Sequence, residues 1–212
     1  MKTALSPRKL PRQSRSQATV DAILDATAQV LVERGYADTS TNAVAQRAGV
    51  SVGSLYQYFP NKDALIAALH DRHARQMQAV IERALARHAD GSLLEALTGV
   101  IESAMEAHRV DADLHQVLER QFLGRAAELH DHDEVEAQLE EQLRRLLQQH
   151  REELAVADLK LATFTVMHAV HAVVHAAVRQ RPGGVSLKAL TRETVALAHA
   201  YLTAPRREPA PA

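Results

Sequence analysis

Apolar residues recur at three- and four-residue spacing along most of this chain, which is the period of a helix with one buried face. Val20, Ile23, Leu24, Val30 and Leu31 trace a first helix that Gly35 ends. Thr41–Ala48 then carries Val44, Ala45 and Ala48 on one face of about two helical turns. Gly49 supplies a left-handed residue to end it. Val50 is an apolar plug, and Ser51 is a natural N-cap for a second short helix, Val52–Tyr58, which Pro60 stops. Asn61 opens a long fourth helix through Leu65, Ile66, Leu69, Met77, Val80, Ile81 and Leu85. Ser92-x-x-Glu95 is a capping box for a helix bearing Leu93, Leu94, Leu97, Val100, Ile101 and Met105. Residues 110–124 read as a loop and short helix, and 133–150 as a strongly amphipathic helix with Val135, Leu139, Leu143, Leu146 and Leu147 on one side. An uncharged helix follows, then the turn Pro182-Gly183-Gly184. Ser186 caps a last helix with Leu190, Val195, Leu197 and Leu202. The expectation is an all-α protein of about nine helices.

Composition sharpens this picture. Aromatic residues make up 3% of the chain, and Ala, Leu, Glu, Gln and Arg favour helix over sheet. With no cysteine there is no disulfide framework, thiolate metal site or cysteine nucleophile. A Gly-rich phosphate loop, an HExxH helix and a GxSxG elbow are all missing, so the chain does not read as an enzyme and calls for no resident cofactor. Residues 161–178 carry no charge, long enough to suggest a membrane span, but His168, His171 and His175 make a lipid-facing helix costly. A buried helix is expected, with no membrane partner. The first residues carry charge and no apolar run, so a cytoplasmic protein is expected.

Net charge is −1, and its distribution is uneven. Residues 1–62 hold eight Lys/Arg against four Asp/Glu, whereas 63–212 hold seventeen against twenty-two. A positive end on a slightly negative body suits a domain that meets phosphate. Residues 1–15 form a basic arm, read either as a solubilising extension or as a grip on phosphate or a minor groove.

The two short helices around Gly49 form a helix-turn-helix. The second is too short to be stable alone, yet its exposed side offers Ser54, Tyr56, Gln57 and Tyr58 as hydrogen-bonding groups for phosphates or base edges. That arrangement is what reading double-stranded DNA requires. From about Ala18 to Leu69 the chain resembles the N-terminal domain of the TetR (tetracycline repressor-like) family of bacterial regulators. The resemblance rests on Arg34-Gly35-Tyr36, the Thr/Ser-rich entry to the second helix, Ala48-Gly49-Val50-Ser51, and Leu55-Tyr56-x-Tyr58-Phe59-x-Asn61-Lys62.

The resemblance implies a three-helix DNA-binding domain over 16–62 (helix-turn-helix 40–59), a helical ligand-binding and dimerisation domain over 63–204, and a tail from 205. It implies a homodimeric repressor on a palindromic operator, released when an unknown small-molecule effector shifts the fourth helix. By matching positions, Thr41 and Asn42 lie close to the DNA backbone. Val52, Gly53 and Ser54 form the tip that approaches the groove, and the N-cap Ser51 joins the DNA-binding set. Tyr56, Gln57, Tyr58 and Lys62 supply further contacts, with Tyr56, Tyr58 and Lys62 on phosphate. The recognition helix has no Lys or Arg, so DNA shape is expected to contribute to specificity. Leu55 and Phe59 read as core.

The last two helices are apolar on more than one face, and the family places its dimer contact there. Val166, Val170, Val173, Val174, Val178, Val195 and Leu202 are the residues expected at that interface. For the effector, the expected lining is Met105, His108, His115, Phe122, Phe164 and His168. His168, His171 and His175 share a helix face that either offers two imidazoles to a metal, making a metal-responsive regulator, or lines the subunit contact or ligand cavity. The sequence alone assigns no metal ligand. A DNA-binding protein without a ligand is the remaining alternative.

Overall fold

A computed structural model describes residues 14–88, 90–122, 132–180 and 183–205. Among these it contains nine α-helices and no strand. They are α1 (Ser14–Asp38), α2 (Thr41–Ala48), α3 (Val52–Tyr58), α4 (Lys62–Arg87), α5 (Leu93–Val110), α6 (Ala112–Phe122), α7 (His132–Gln149), α8 (Leu159–Gln180) and α9 (Leu187–Thr203). Residues 1–13 of the basic arm, the tail beyond 205, Pro182, and the side chains of Phe122 and Val178 lie outside the described residues.

The helices group into two compact units. The first takes its described residues from 1–76 and 111–133, the second from 77–110 and 134–212. The sequence reading ends the first domain at Lys62. The first unit runs further because the opening half of α4 buries Leu65, Ile66, Ala67 and Leu69 in the same core as Ile23, Leu31, Val44, Leu55 and Phe59. Leu118 of α6 joins that core as well, a long-range contribution that periodicity alone does not reveal.

In the second unit, α5 packs on α8 and α9. Its core gathers Leu93, Leu97, Ile101, Met105, Leu147, Val166, Val174, Val195 and Leu202. The Ser92–Glu95 capping box forms reciprocally: the Glu95 amide donates to Ser92 Oγ at 3.3 Å and the Ser92 amide donates to Glu95 Oε2 at 2.8 Å. Those bonds hold the Glu95 carboxyl below its usual range. Ser186 caps α9 through the Ala189 amide at 3.1 Å. Helix α1 departs from the sequence reading in one respect. Helical structure resumes past Gly35 to Asp38, with Gly35 itself at φ 71, ψ 176, backbone that essentially only glycine adopts.

Candidate DNA-binding site

Local chemistry explains why α2 and α3 meet as they do. Ser40 caps α2, its Oγ accepting from the Ala43 amide at 3.2 Å. Gly49 closes it in the left-handed region, φ 68 and ψ 26. The Val50 amide donates back to the Ala45 carbonyl at 3.0 Å, so the chain reverses at once into α3. Ser51 then caps α3 through the Ser54 amide at 3.0 Å.

Leu55 and Phe59 are buried and fix α3 on the core. Their burial turns the opposite side outward. Ser51, Val52, Gly53, Tyr56 and Gln57 are exposed, Val52 at 38% and Tyr56 at 39%. Ser54 and Tyr58 are half-buried, as is Thr41 at the start of α2, while Asn42 is exposed. Every candidate of the α2–α3 pair therefore retains some exposed surface. Two are already hydrogen-bonded to each other: Thr41 Oγ1 and Tyr56 OH lie 3.1 Å apart and tie the two helices together. Ser51 Oγ and Ser54 Oγ pair at 2.8 Å.

Lys62 has an internal role that its position in the motif does not reveal. Its ammonium donates to the Tyr36 carbonyl at 2.8 Å and lies 4.1 Å over the Tyr36 ring. Tyr36 in turn donates its hydroxyl proton to Asp63 Oδ1 at 2.5 Å. Arg47, which sequence reasoning passed over, clamps α2 to α1. It donates to both Glu33 carboxylate oxygens, at 2.8 and 2.7 Å, and to Gln29 at 3.1 Å. This bidentate pair holds Glu33 below and Arg47 above their usual pKa values. A basic residue in the last turn of α2 was the available signal.

The residues expected to line an effector site are divided between the two units. Met105 and His108 are buried in the second unit, and His115 belongs to the first unit, where it lies 3.0 Å from His73. Phe164 is 52% exposed, and His168 stacks on it with ring centroids 4.1 Å apart. Two open grooves of about 530 and 470 Å³ lie in the second unit, the larger beside Arg87, Leu94 and Glu102, the smaller beside Leu85 and Gln142. None of the expected effector residues lines either groove.

The dimer set also needs correction. Val166, Val174, Val195 and Leu202 are buried inside the second unit's core, and Val170 and Val173 pack half-buried against it. A partner cannot reach the four buried side chains. The outward apolar side chains of these helices are Leu161, Phe164 and Leu197, at 54%, 52% and 56% exposure. Periodicity recovered which residues are apolar, but a helix apolar on several sides does not reveal which side its own chain covers. The histidine face divides too. His168 leaves the row to meet Glu136, 3.3 Å from its Nε2.

Comparison with known proteins agrees with the helix-turn-helix. Residues 23–69 match the family described as bacterial regulatory proteins, tetR family, and residues 92–202 match the tetracyclin repressor-like C-terminal domain. The HTH-type transcriptional regulator YvkB of Bacillus subtilis is 33% identical over 91 residues, 42% of this chain and 46% of YvkB. The HTH-type transcriptional repressor KstR of Mycolicibacterium smegmatis is 38% identical over 85 residues, 40% of this chain and 42% of KstR. The chain thus spans less than half the length of these two relatives. The fatty acid degradation regulator FadR from Bacillus halodurans shares the fold, with a TM-score of 0.68 at 24% identity over 85% of this chain and 94% of FadR. A TetR-family transcriptional regulator from Streptomyces coelicolor gives 0.59 at 27% identity, over 86% and 96%. With its C-terminal match alone covering more than half its length, this chain belongs to the tetR family of bacterial regulatory proteins.

Proposed function

We propose that the protein is a homodimeric repressor that reads a palindromic operator with α3 and is released by a small, largely apolar effector. The observation that carries the reading is the two-sidedness of α3: Leu55 is buried, while Val52, Tyr56 and Gln57 stand exposed on a helix capped at both ends of its turn. Val52 suits a thymine methyl, Gln57 suits a base edge, and the hydroxyls of Thr41, Tyr56 and Tyr58 suit phosphate. Asn42, Ser51, Gly53, Ser54 and Lys62 complete the proposed contact set. The KstR relative is named a repressor, which favours repression here.

Dimerisation through α8 and α9 is supported by the exposed Leu161, Phe164 and Leu197. An isologous pair of these helices makes a four-helix bundle. One short helix reads few base pairs, so two held about 34–36 Å apart are needed to read a palindrome on one face of the duplex. The effector acts on the second unit, and α4, whose residues belong to both units, carries its influence. Coupling of this kind is typically about 1–3 kcal/mol. A cytoplasmic location follows from this function, and no helix among the described residues is long and apolar enough to cross a membrane.

Selection of binding sites from a pool of random duplexes at near-physiological salt tests the reading. It predicts recovery of a palindrome with half-sites about one helical turn apart or slightly more. Absence of enrichment by the folded protein would refute it.

A further inference from the structure

Three histidines meet where α5 packs on α8 inside the second unit, and His175 is their centre. Its ring centroid lies 3.8 Å from that of His171, one turn earlier on α8, and 5.1 Å from that of His108 on α5. Ligating nitrogens of His108 and His175 lie within 4.8 Å of each other. Two imidazoles on one tetrahedral ion hold their nitrogens about 3.4 Å apart, so a small side-chain rotation closes the difference.

His108 has the features of a positioned ligand. Its Nδ1–H donating to the Ala104 carbonyl at 2.8 Å fixes the ring and puts the lone pair on Nε2, the outer-shell arrangement that orients metal-binding histidines. Burial pushes its pKa down. Exposure grades outward from buried His108 through half-buried His175 to exposed His171, giving an ion a way in. Residues 161–178 of α8 carry no Lys or Arg to repel one.

We propose that His108 and His175 bind a divalent first-row transition ion of the zinc type, with His171 as the third imidazole on the solvent side and water completing the shell. All-imidazole donors suit zinc, copper and nickel rather than magnesium or calcium. The site bridges two helices of the second unit and does not depend on the DNA-binding assignment. It differs from the face read in the sequence, since His168 drops out and His108 enters from another helix.

Tag-free full-length protein titrated with zinc by calorimetry, and with cobalt by visible absorption, gives the test. The expected result is one ion per chain with a tetrahedral cobalt spectrum. His175→Gln abolishes binding, while His108→Gln and His171→Gln each weaken it at least about tenfold. His168→Gln leaves it unchanged. Exposed His171 tolerates replacement, so H171Q decides the matter even where the buried variants fail to fold, as circular dichroism would report. No binding at millimolar ion, or full binding in a folded H171Q or H175Q variant, would overturn the proposal.

Discussion

Lys62 holds Tyr36 from two directions, its ammonium 4.1 Å above the ring and 2.8 Å from the carbonyl oxygen. The contact pins the end of α1 to the start of α4. Lys62 therefore acts within its own chain before it meets any phosphate. Lys62→Ala is expected to lower stability by about 1 kcal/mol in urea unfolding. The same variant is expected to flatten the dependence of DNA affinity on salt by about one phosphate contact. Unchanged stability would remove the clasp, and an unchanged salt slope would remove the phosphate role.

Arg47 and Glu33 give a pH signature. The guanidinium holds the Glu33 carboxyl below its ordinary 4.5. A lowered carboxyl stabilises the folded state above its unfolded value and loses that contribution as pH falls through the folded value. Wild type should therefore exceed Glu33→Gln in stability above a pH of about 4.5, with the advantage fading below it. The pair is solvent-exposed, so high salt should shrink the difference. Parallel acid-unfolding curves for the two proteins at every pH would refute the clamp.

The caps of the reading helices supply a third expectation. Ser40→Ala removes the acceptor of the Ala43 amide and should cost about 1 kcal/mol. Gly49→Ala places a Cβ in left-handed backbone and should cost a similar amount, roughly 1 kcal/mol. Chemical denaturation measures both, and a change within error for the pair would contradict the turn geometry.

Much of this site was legible in the sequence because its determinants are local. Ser51, Gly49 and the Ser92–Glu95 box act within a few residues of themselves, and the structure forms each of them. Leu55 and Phe59 are buried where their spacing placed them. The departures are long-range. Leu118 joins the first core from α6, Lys62 reaches back to Tyr36, and Arg47 reaches Glu33 across two helices. Sequence spacing carries no trace of such contacts. On α8 the pattern failed for a related reason. Val166 and Val174 look like Leu161 and Phe164 in the sequence, and only packing on α5 and α9 separates core from surface.

That separation predicts two different failures. Leu197→Asp or Phe164→Asp should convert a dimer into a folded monomer, as sedimentation or light scattering would show. Val174→Ala should instead leave association intact and lower stability by roughly 1–3 kcal/mol, through the cavity it leaves. Dimers surviving both aspartate variants would refute the α8–α9 interface.

The most direct measurement compares wild type with a Ser54→Ala/Gln57→Ala variant on a selected operator and on a scrambled duplex of equal length, at one salt concentration. Reading by α3 predicts at least a tenfold loss on the operator, about 1.4 kcal/mol, with affinity for the scrambled duplex nearly unchanged. Equal losses on both duplexes, or no loss on either, would contradict the claim that α3 carries the specificity.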